Sequence, residues 1–234
     1  MKRLASALIL VSVMSLVPDR VTAEAIGRAA DEGWTPEGYL LSFGVGAYRP
    51  NPGSENFDLF YPDDKGPILL LEFDFYLYRI PFIGPIGLGI AGGWSSYKGA
   101  TCETASLPET CVPSTQTAKL NLFPLNVMAV LRIDALARKT PVPFVFTGKV
   151  GFNSVFFNED AGRGKSTGRT HGFGWAAQFA IELNFVNERR ANALDEDWGI
   201  NSSFFFFELA GSDTNSKAKM GDNLYFTGGL GLTF

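Results

Sequence analysis

Apolar and polar residues alternate with a period of two along most of the chain that follows Tyr39. Between Leu69 and Tyr78, the odd positions are apolar, whereas Glu72 and Asp74 fall on the opposite face. Such alternation is typical of a β-strand with two different environments on its two faces. Eight segments repeat the pattern, each close to the 9–11 residues that a tilted membrane strand requires. They begin near Leu41, Leu69, Ile86, Leu125, Phe144, Phe173, Ser203 and Leu224.

The segments between these strands alternate in length. Four connectors are long, polar and rich in Gly, Ser and Asp: 49–66, 99–118, 157–170 and 210–222. Connectors 79–85 and 137–143 are short and contain Pro, and 186–200 is longer and strongly charged. This arrangement predicts an all-β fold, a transmembrane antiparallel up-and-down β-barrel of eight strands. A ten-stranded barrel is the alternative if 99–124 or 186–200 contains a further hairpin.

Proline affects where the fourth strand enters the membrane. Pro124 has no backbone N–H to donate within a sheet. We therefore expect the membrane part of this strand to begin at Leu125, with Thr117 to Phe123 above the bilayer.

Two other folds are compatible with parts of the pattern. Ile80 to Tyr97 contains no charged residue and is long enough for a transmembrane helix, but it holds five Gly and two Pro, which disfavour helices. A soluble lipocalin-like barrel would turn its apolar face inward. The face opposite the apolar one is rich in Gly and Ala here, which suits a crowded lumen better than a water-facing exterior.

Both ends of the chain carry targeting signals. Lys2 and Arg3 precede an apolar run from Leu4 to Val17, which as a helix would span only about 21 Å, and small residues precede a cleavage position after Ala23. We expect a secretory signal peptide at 1–23, a short periplasmic segment at 24–38 and the barrel at 39–234. The last strand ends with apolar residues in phase, which predicts an assembly signal for the barrel-assembly machinery and localisation in the outer membrane of a Gram-negative bacterium. These residues are Phe226, Leu230, Leu232 and Phe234.

Composition excludes several classes of site. The chain has 234 residues, 46% of them hydrophobic, with a net charge of −4, one His and two Cys. A multi-histidine metal site is impossible, no basic surplus indicates a nucleic-acid partner, and we predict no cofactor. Export to an oxidising compartment predicts a disulfide between Cys102 and Cys111, with two free thiols as the alternative.

The polar face of the predicted strands collects five acids and two bases. They are Glu72, Asp74, Arg132, Asp134, Lys149, Glu182 and Glu208. The lumen of an eight-stranded barrel is just wide enough for side chains to fill it, and buried charges must pair or stay hydrated. The sequence therefore predicts either a salt-bridge network that plugs the barrel or a narrow hydrated path that favours cations.

Further residues are candidates for surface roles. Arg163, Lys165 and Arg169 are expected to contact lipopolysaccharide phosphates, with an ordinary solvated loop as the alternative. His171, near Ser154 and Ser166, is the only basis for a lipid-modifying enzyme of the lipid A deacylase or acyltransferase type. The predicted aromatic belts at the membrane interfaces comprise Trp34, Tyr39, Trp94, Trp175 and Tyr225.

Parts of the sequence resemble a known family. The run from Tyr39 to Asn51 resembles the opening strand of an outer-membrane β-barrel family of myxobacteria and relatives. Leu71 to Asp74, followed by Gly84 to Gly89, is similar to the second and third strands of that family. The general shape also resembles small barrels of the OmpA and OmpW types. The resemblance implies an outer-membrane barrel and transfers no site residues.

Taken with the loops, these features predict a structural or surface-interaction role without enzymatic activity. Restricted passage of small solutes is part of the same expectation. Outer-membrane lipid and lipopolysaccharide are the expected partners, and the oligomeric state is left open.

Overall fold

The structure is a computed structural model that describes residues 37–50, 61, 65–102, 113–161, 164–184, 194–195, 197–214 and 220–234. The predicted signal peptide, most of the predicted 24–38 segment and Trp34 lie outside the described residues. The boundaries proposed for the first two segments therefore stay predictions.

Eight antiparallel strands close into one barrel, in which each strand pairs with its neighbours in sequence and β1 pairs with β8. The strands are β1 (Tyr39–Tyr48), β2 (Gly66–Ile80), β3 (Gly84–Cys102), β4 (Pro113–Ile133), β5 (Phe144–Asp160), β6 (Lys165–Glu182), β7 (Ser202–Thr214) and β8 (Tyr225–Thr233). A short helix α1 (Ala135–Lys139) follows β4. The predicted eight-stranded barrel is confirmed, and because the ring is closed, the ten-stranded alternative is wrong.

The barrel has two distinct ends. The terminal end holds Tyr39 and Phe234, whose backbones exchange hydrogen bonds of 3.0 and 2.9 Å. Strands β2, β4 and β6 end there, and β3, β5 and β7 begin there. At the opposite end, called the loop end below, β1, β3, β5 and β7 end, and β2, β4, β6 and β8 begin.

Apolar side chains cover the outside of the wall, and polar side chains point inward. Phe43, Leu71 and Leu88 are each about half exposed, at 51%, 53% and 52%, whereas the inward Arg132 and Lys149 are buried. A continuous apolar exterior of this kind suits lipid and would aggregate in water. The lipocalin-like alternative, with its apolar face inside, is therefore wrong.

The uncharged stretch Ile80 to Tyr97 lies mostly in β3, so its interpretation as a helix is wrong. Among the described residues, no helix is long and apolar enough to cross a membrane.

The pairing of β5 with β6 continues beyond the residues whose outward side chains are apolar. The predicted connector 157–170 is wrong in its extent, because β5 and β6 pair up to Asp160 and Lys165. Polar residues at the outward positions of this hairpin end the apolar alternation, but backbone pairing needs no apolar side chains and continues. Pro124 does not break β4 either, because it pairs with Val155 of β5. On the other side of β4, the pairing with β3 skips Phe123 and Pro124.

Two aromatic residues do not lie where the sequence places them. The alternation that turns Glu72 and Asp74 inward would also turn Tyr78 inward, but a register shift between Tyr76 and Tyr78 in the pairing with β3 leaves Tyr78 54% exposed. A bulge adds a residue to one strand and reverses the phase beyond it. Tyr225 was expected in an interface belt, but it is buried in the lumen, where its ring lies 5.2 Å from that of Tyr48.

The seam between β1 and β8 leaves no room for a side chain at Gly229. A Cβ atom there would overlap the carbonyl oxygen of Phe43, whereas a Cβ at Gly148 on β5 meets nothing within 4 Å. We expect Gly229→Val to prevent closure of the barrel and to abolish the heat-modifiable species on gel electrophoresis. Gly148→Val, the matched control, should fold like the wild type, and equal yields of folded barrel from both variants would contradict this account of the seam.

Candidate functional site

Lys149 ties three strands together inside the barrel. Its ammonium group lies 2.6 Å from an oxygen of Glu72 on β2 and 2.6 Å from an oxygen of Glu208 on β7. The Ser42 hydroxyl donates to the same Glu72 oxygen at 3.3 Å, and the Gln178 amide donates to Glu208 at 3.5 Å. Because β2 and β5 are three strands apart in the ring, this ion pair crosses the lumen instead of following the wall.

A second ion pair lies closer to the terminal end. Arg132 of β4 is fully buried and donates to Glu182 of β6 at 3.1 Å. The Arg132 guanidinium carbon also lies 5.1 Å from the centre of the Phe204 ring, within the range of a cation–π interaction. Phe204 and Phe206 belong to an apolar cluster that surrounds this pair, together with Leu40, Tyr76, Val130, Val145 and Ala180.

A third charged group closes the terminal end. Asp134 accepts hydrogen bonds from Arg79 at 2.5 Å and from Arg138 of α1 at 2.9 Å. Arg138 also lies 3.0 Å from Glu37, which precedes β1. Helix α1 thus places a cation over the mouth of the lumen, where Asp134 joins it to β2.

Asp74 lies close to the Lys149 group but accepts no hydrogen bond from it. It is fully buried, and neither carboxylate oxygen has a hydrogen-bond partner among the described residues. It occupies the space that Gly89 leaves on β3. The seven charges predicted for the lumen therefore do not form one hydrogen-bonded network. Six of them fall into three hydrogen-bonded groups, and Asp74 interacts with Glu72, Lys149 and Glu208 through its charge alone.

The loop end of the lumen is filled by an apolar layer that the alternation did not predict. Its buried members include Ile68, Leu70, Leu120, Leu122 and Val155. Tyr97 donates to the backbone carbonyl of Tyr48 at 2.5 Å, and the Tyr48 hydroxyl donates to that of Met220 at 2.8 Å, so the polar ends of these rings are also satisfied. The sequence indicates this apolar layer at Ile68 to Leu71, where the residues on both faces of the strand are apolar.

Little free volume remains between the charged and apolar layers. A cavity of about 20 Å³ lies among Glu72, Glu208, Phe206 and their neighbours. That volume holds about one water molecule. The small residue Gly44 serves packing here, because the Phe206 ring lies 3.1 Å from the position of its missing Cβ. No group of three or more His, Cys, Asp or Glu residues suited to a metal ion occurs in the described part of the chain.

Hydrogen bonds fasten the connectors to the rim at the loop end. The backbone N–H of Arg49 donates to the Asp222 carboxylate at 2.7 Å, and burial raises the pKa of that carboxyl group. Tyr61 donates to Glu159 of β5 at 2.6 Å, and burial together with this hydrogen bond raises the pKa of the Tyr61 hydroxyl. The connectors that contain Tyr61 and Asp222 are therefore anchored to the barrel.

The residues predicted to contact lipopolysaccharide are only partly described. Arg169 is exposed on β6, opposite Phe156 of β5. Lys165 lies 3.4 Å from Asp160 at the loop end of the same hairpin. Arg163 lies outside the described residues.

The predicted disulfide cannot be assigned from the described residues. Cys111 lies outside them, and Cys102 is described only by its backbone, which pairs with Pro113 at the end of β3. The pairing of Cys102 with Cys111 stays a prediction.

The predicted assembly signal lies on β8 and the seam. Phe226 and Leu230 are exposed on the outer wall, at 65% and 53%, and Leu232 lies on the same face. Phe234 follows β8 and is held by the backbone of Tyr39. Recognition of these residues by an assembly machinery stays a prediction.

The residues behind the enzyme alternative lie on the outside of the wall. His171 and Ser154 are directly opposite each other on β6 and β5, and the His171 ring lies 6.1 Å from that of Phe152. No hydrogen bond joins His171 to Ser154 among the described residues, and Ser166 pairs instead with Glu159. The arrangement lacks the hydrogen-bonded nucleophile and base that activation of a serine requires.

Loss of the Lys149 ammonium should destabilise the barrel strongly. We expect Lys149→Met to lower the free energy of unfolding by about 3–5 kcal/mol, because Glu72 and Glu208 would remain buried without a counter-charge. Asp74→Asn, a nearly isosteric control, should change it by about 1 kcal/mol or less. Urea unfolding in lipid vesicles, followed by tryptophan fluorescence, measures both. A smaller loss for Lys149→Met than for Asp74→Asn would contradict the assignment.

Removal of the His171 imidazole tests the enzyme alternative. We expect cells that express His171→Ala to have the same lipid A mass spectrum as cells that express the wild type. A change in the number of acyl chains between these two strains would establish that His171 takes part in lipid modification.

The structure was compared with known proteins. No family model and no curated protein sequence matches the chain, and the likeness to a myxobacterial family is not confirmed. Among solved structures, the outer membrane protein OprG from Pseudomonas aeruginosa matches with a TM-score of 0.51 and 12% identity, over 85% of this chain and 96% of that one. Ail of Yersinia pestis matches at 0.42 and 8%, over 85% and 97%, and Neisserial surface protein A at 0.42 and 13%, over 84% and 96%. The match to OprG shows that the chain has the fold of an outer-membrane β-barrel.

Proposed function

We propose that this protein is an outer-membrane barrel with a closed lumen, which holds its loop-end connectors at the cell surface for structural or adhesive contacts. The terminal end would face the periplasm, and the loop end the outside of the cell. The single observation that carries the proposal is the filling of the lumen by the Lys149 ion pairs and the apolar layer above them.

The arrangement of charges in the lumen favours a closed barrel over a water-filled channel. A conducting pore needs hydrated charges that an ion can approach and leave. Here the Lys149 ammonium is held between two carboxylates at 2.6 Å, and Arg132 lies against Glu182 and the Phe204 ring. The cavity beside Glu72 and Glu208 measures about 20 Å³, which is too small for a sugar and its hydration water.

The apolar wall, the predicted signal peptide and the predicted assembly signal support the outer membrane as the location. In this proposal, outer-membrane lipid surrounds the wall and the barrel-assembly machinery inserts it. The proposal includes no enzymatic activity, because His171 and Ser154 are not hydrogen-bonded. Restricted passage of small solutes is the alternative that a transport measurement would decide.

Solute uptake by liposomes that contain the refolded, heat-modifiable protein tests the closed lumen. We expect uptake of small sugars and of K⁺ no faster than by empty liposomes, because the ion pairs and the apolar layer leave no water path. Liposomes with a wide porin serve as the positive control. Uptake by the wild type that changes in Lys149→Ala or Glu182→Ala would contradict the proposal and establish a water path through the lumen.

A further inference from the structure

The outer wall carries a groove between β3 and β4. It has a volume of about 390 Å³ and lies against Gly92, Gly93 and Pro124. Its other lining residues are almost entirely apolar: Phe43, Leu69, Leu70, Leu71, Trp94, Phe123, Leu125 and Phe156.

Two features of the sequence produce the groove. Gly92 is on the outward face, and a Cβ atom there meets nothing within 4 Å. The pairing of β3 with β4 is interrupted between Gly92–Leu125 and Ser95–Leu122, where Pro124 has no N–H to donate. The wall therefore lacks a side chain at Gly92 and has no β3–β4 pairing at Phe123 and Pro124. Because the groove faces the hydrocarbon of the bilayer, an acyl chain is the partner that matches it.

The wall is strongly basic above the groove. Lys98 on β3 and Lys119 on β4 are directly opposite each other and both exposed. Directly opposed like charges destabilise a pair of antiparallel strands. Neither lysine forms an ion pair with a described residue. An anion held between the two ammonium groups would remove this repulsion.

A second groove extends the first toward another cation. It measures about 440 Å³, shares Phe123 and Phe156 with the first groove, and includes Arg169 and Asn158. Asp160 lies opposite Lys119 on β5, but its carboxylate is 3.4 Å from Lys165. The described residues on this part of the outer wall therefore include more exposed cations than exposed carboxylates.

The distance between the exposed lysines and the apolar groove suits an amphiphilic ligand, which has a charged headgroup and apolar chains. Lys119 and Phe123 are four residues apart on β4, as are Lys98 and Trp94 on β3. Four residues extend about 13 Å along a strand. The cations therefore lie about 13 Å along the strands from the start of the apolar groove, on the side toward the loop end, where the headgroups of the outer leaflet would lie.

We propose that this surface binds one phosphorylated, multiply acylated lipid of the outer leaflet, of the lipopolysaccharide anchor class. A phosphate would sit between Lys98 and Lys119, and an acyl chain would occupy the groove over Gly92. Arg169 lies lower on the wall, at the level of Phe123 and Phe156, and is not part of this phosphate site. The site rests on the orientation in the proposed function, but it does not depend on whether the lumen conducts.

Titration of the refolded full chain in detergent micelles with bisphosphorylated, hexa-acylated lipid A tests the site by native mass spectrometry. The same lipid after removal of its phosphates is the second probe. We expect Lys98→Gln combined with Lys119→Gln to weaken binding of the phosphorylated lipid at least about tenfold and to leave binding of the dephosphorylated lipid unchanged. Gly92→Phe, which fills the groove, should weaken binding of both lipids by about tenfold.

Two matched variants separate this site from general effects. Lys139→Gln removes one lysine charge, half of the charge that the double variant removes, at the terminal end, where its ammonium lies 3.9 Å from the Phe82 ring centre. Gly148→Phe places the same ring at another open glycine of the outer wall. Both should bind lipid A like the wild type. Equal losses in the site variants and their controls, or wild-type affinity in the site variants, would overturn the proposal. Liposome uptake by the same variants reports independently on the lumen.

Discussion

The ammonium group of Lys149, held between two carboxylates, is the interaction on which the rest of the lumen depends. Eight strands enclose a space that side chains must fill, and an unpaired charge in such a space is very costly. Lys149 satisfies one oxygen of Glu72 and one of Glu208 across the full width of the barrel. Ser42 and Gln178 donate further hydrogen bonds to the same two carboxylate oxygens. Three strands that are not all neighbours are thereby fixed at one level.

Layers stack on either side of this centre. Toward the terminal end lie the Arg132–Glu182 pair with its phenylalanines, and then the Asp134 group under α1. Toward the loop end, an apolar layer capped by tyrosines separates the charges from the connectors. The apolar side chains of the outer wall face lipid and therefore need no hydrogen-bond or charge partner. A barrel filled in this way is a rigid support for its connectors and its outer wall, which is where we place its function.

The sequence predicts the fold well because a two-residue period is a local signal that every strand repeats. It also identifies the inward charges, since each occupies the polar phase of its own strand. It does not predict which charges meet: Lys149 and Glu72 are 77 residues apart, and only the register of intervening strands brings them together.

The features that escape prediction depend on neighbouring strands. The bulge that exposes Tyr78 arises from the pairing of β2 with β3. The burial of Tyr225 follows the alternation along β8, and only its assignment to an interface belt is wrong. The opposition of Lys98 and Lys119, and the groove beside Pro124, also appear only when β3 and β4 are aligned. The sequence does not predict that β5 and β6 extend into 157–170. Strands that pair outside the membrane need no alternating apolar residues, so the pattern that marks the other strands is absent there.

The most direct test of the central ion pair is nuclear magnetic resonance of the Lys149 side chain in the refolded protein. The account predicts an ammonium signal at neutral pH with protons that exchange slowly with water, because two carboxylates and the apolar layer enclose it. Glu72→Gln combined with Glu208→Gln should eliminate this protected signal. An ammonium group of the wild type that exchanges as fast as a surface lysine would contradict the closed lumen and the function proposed from it.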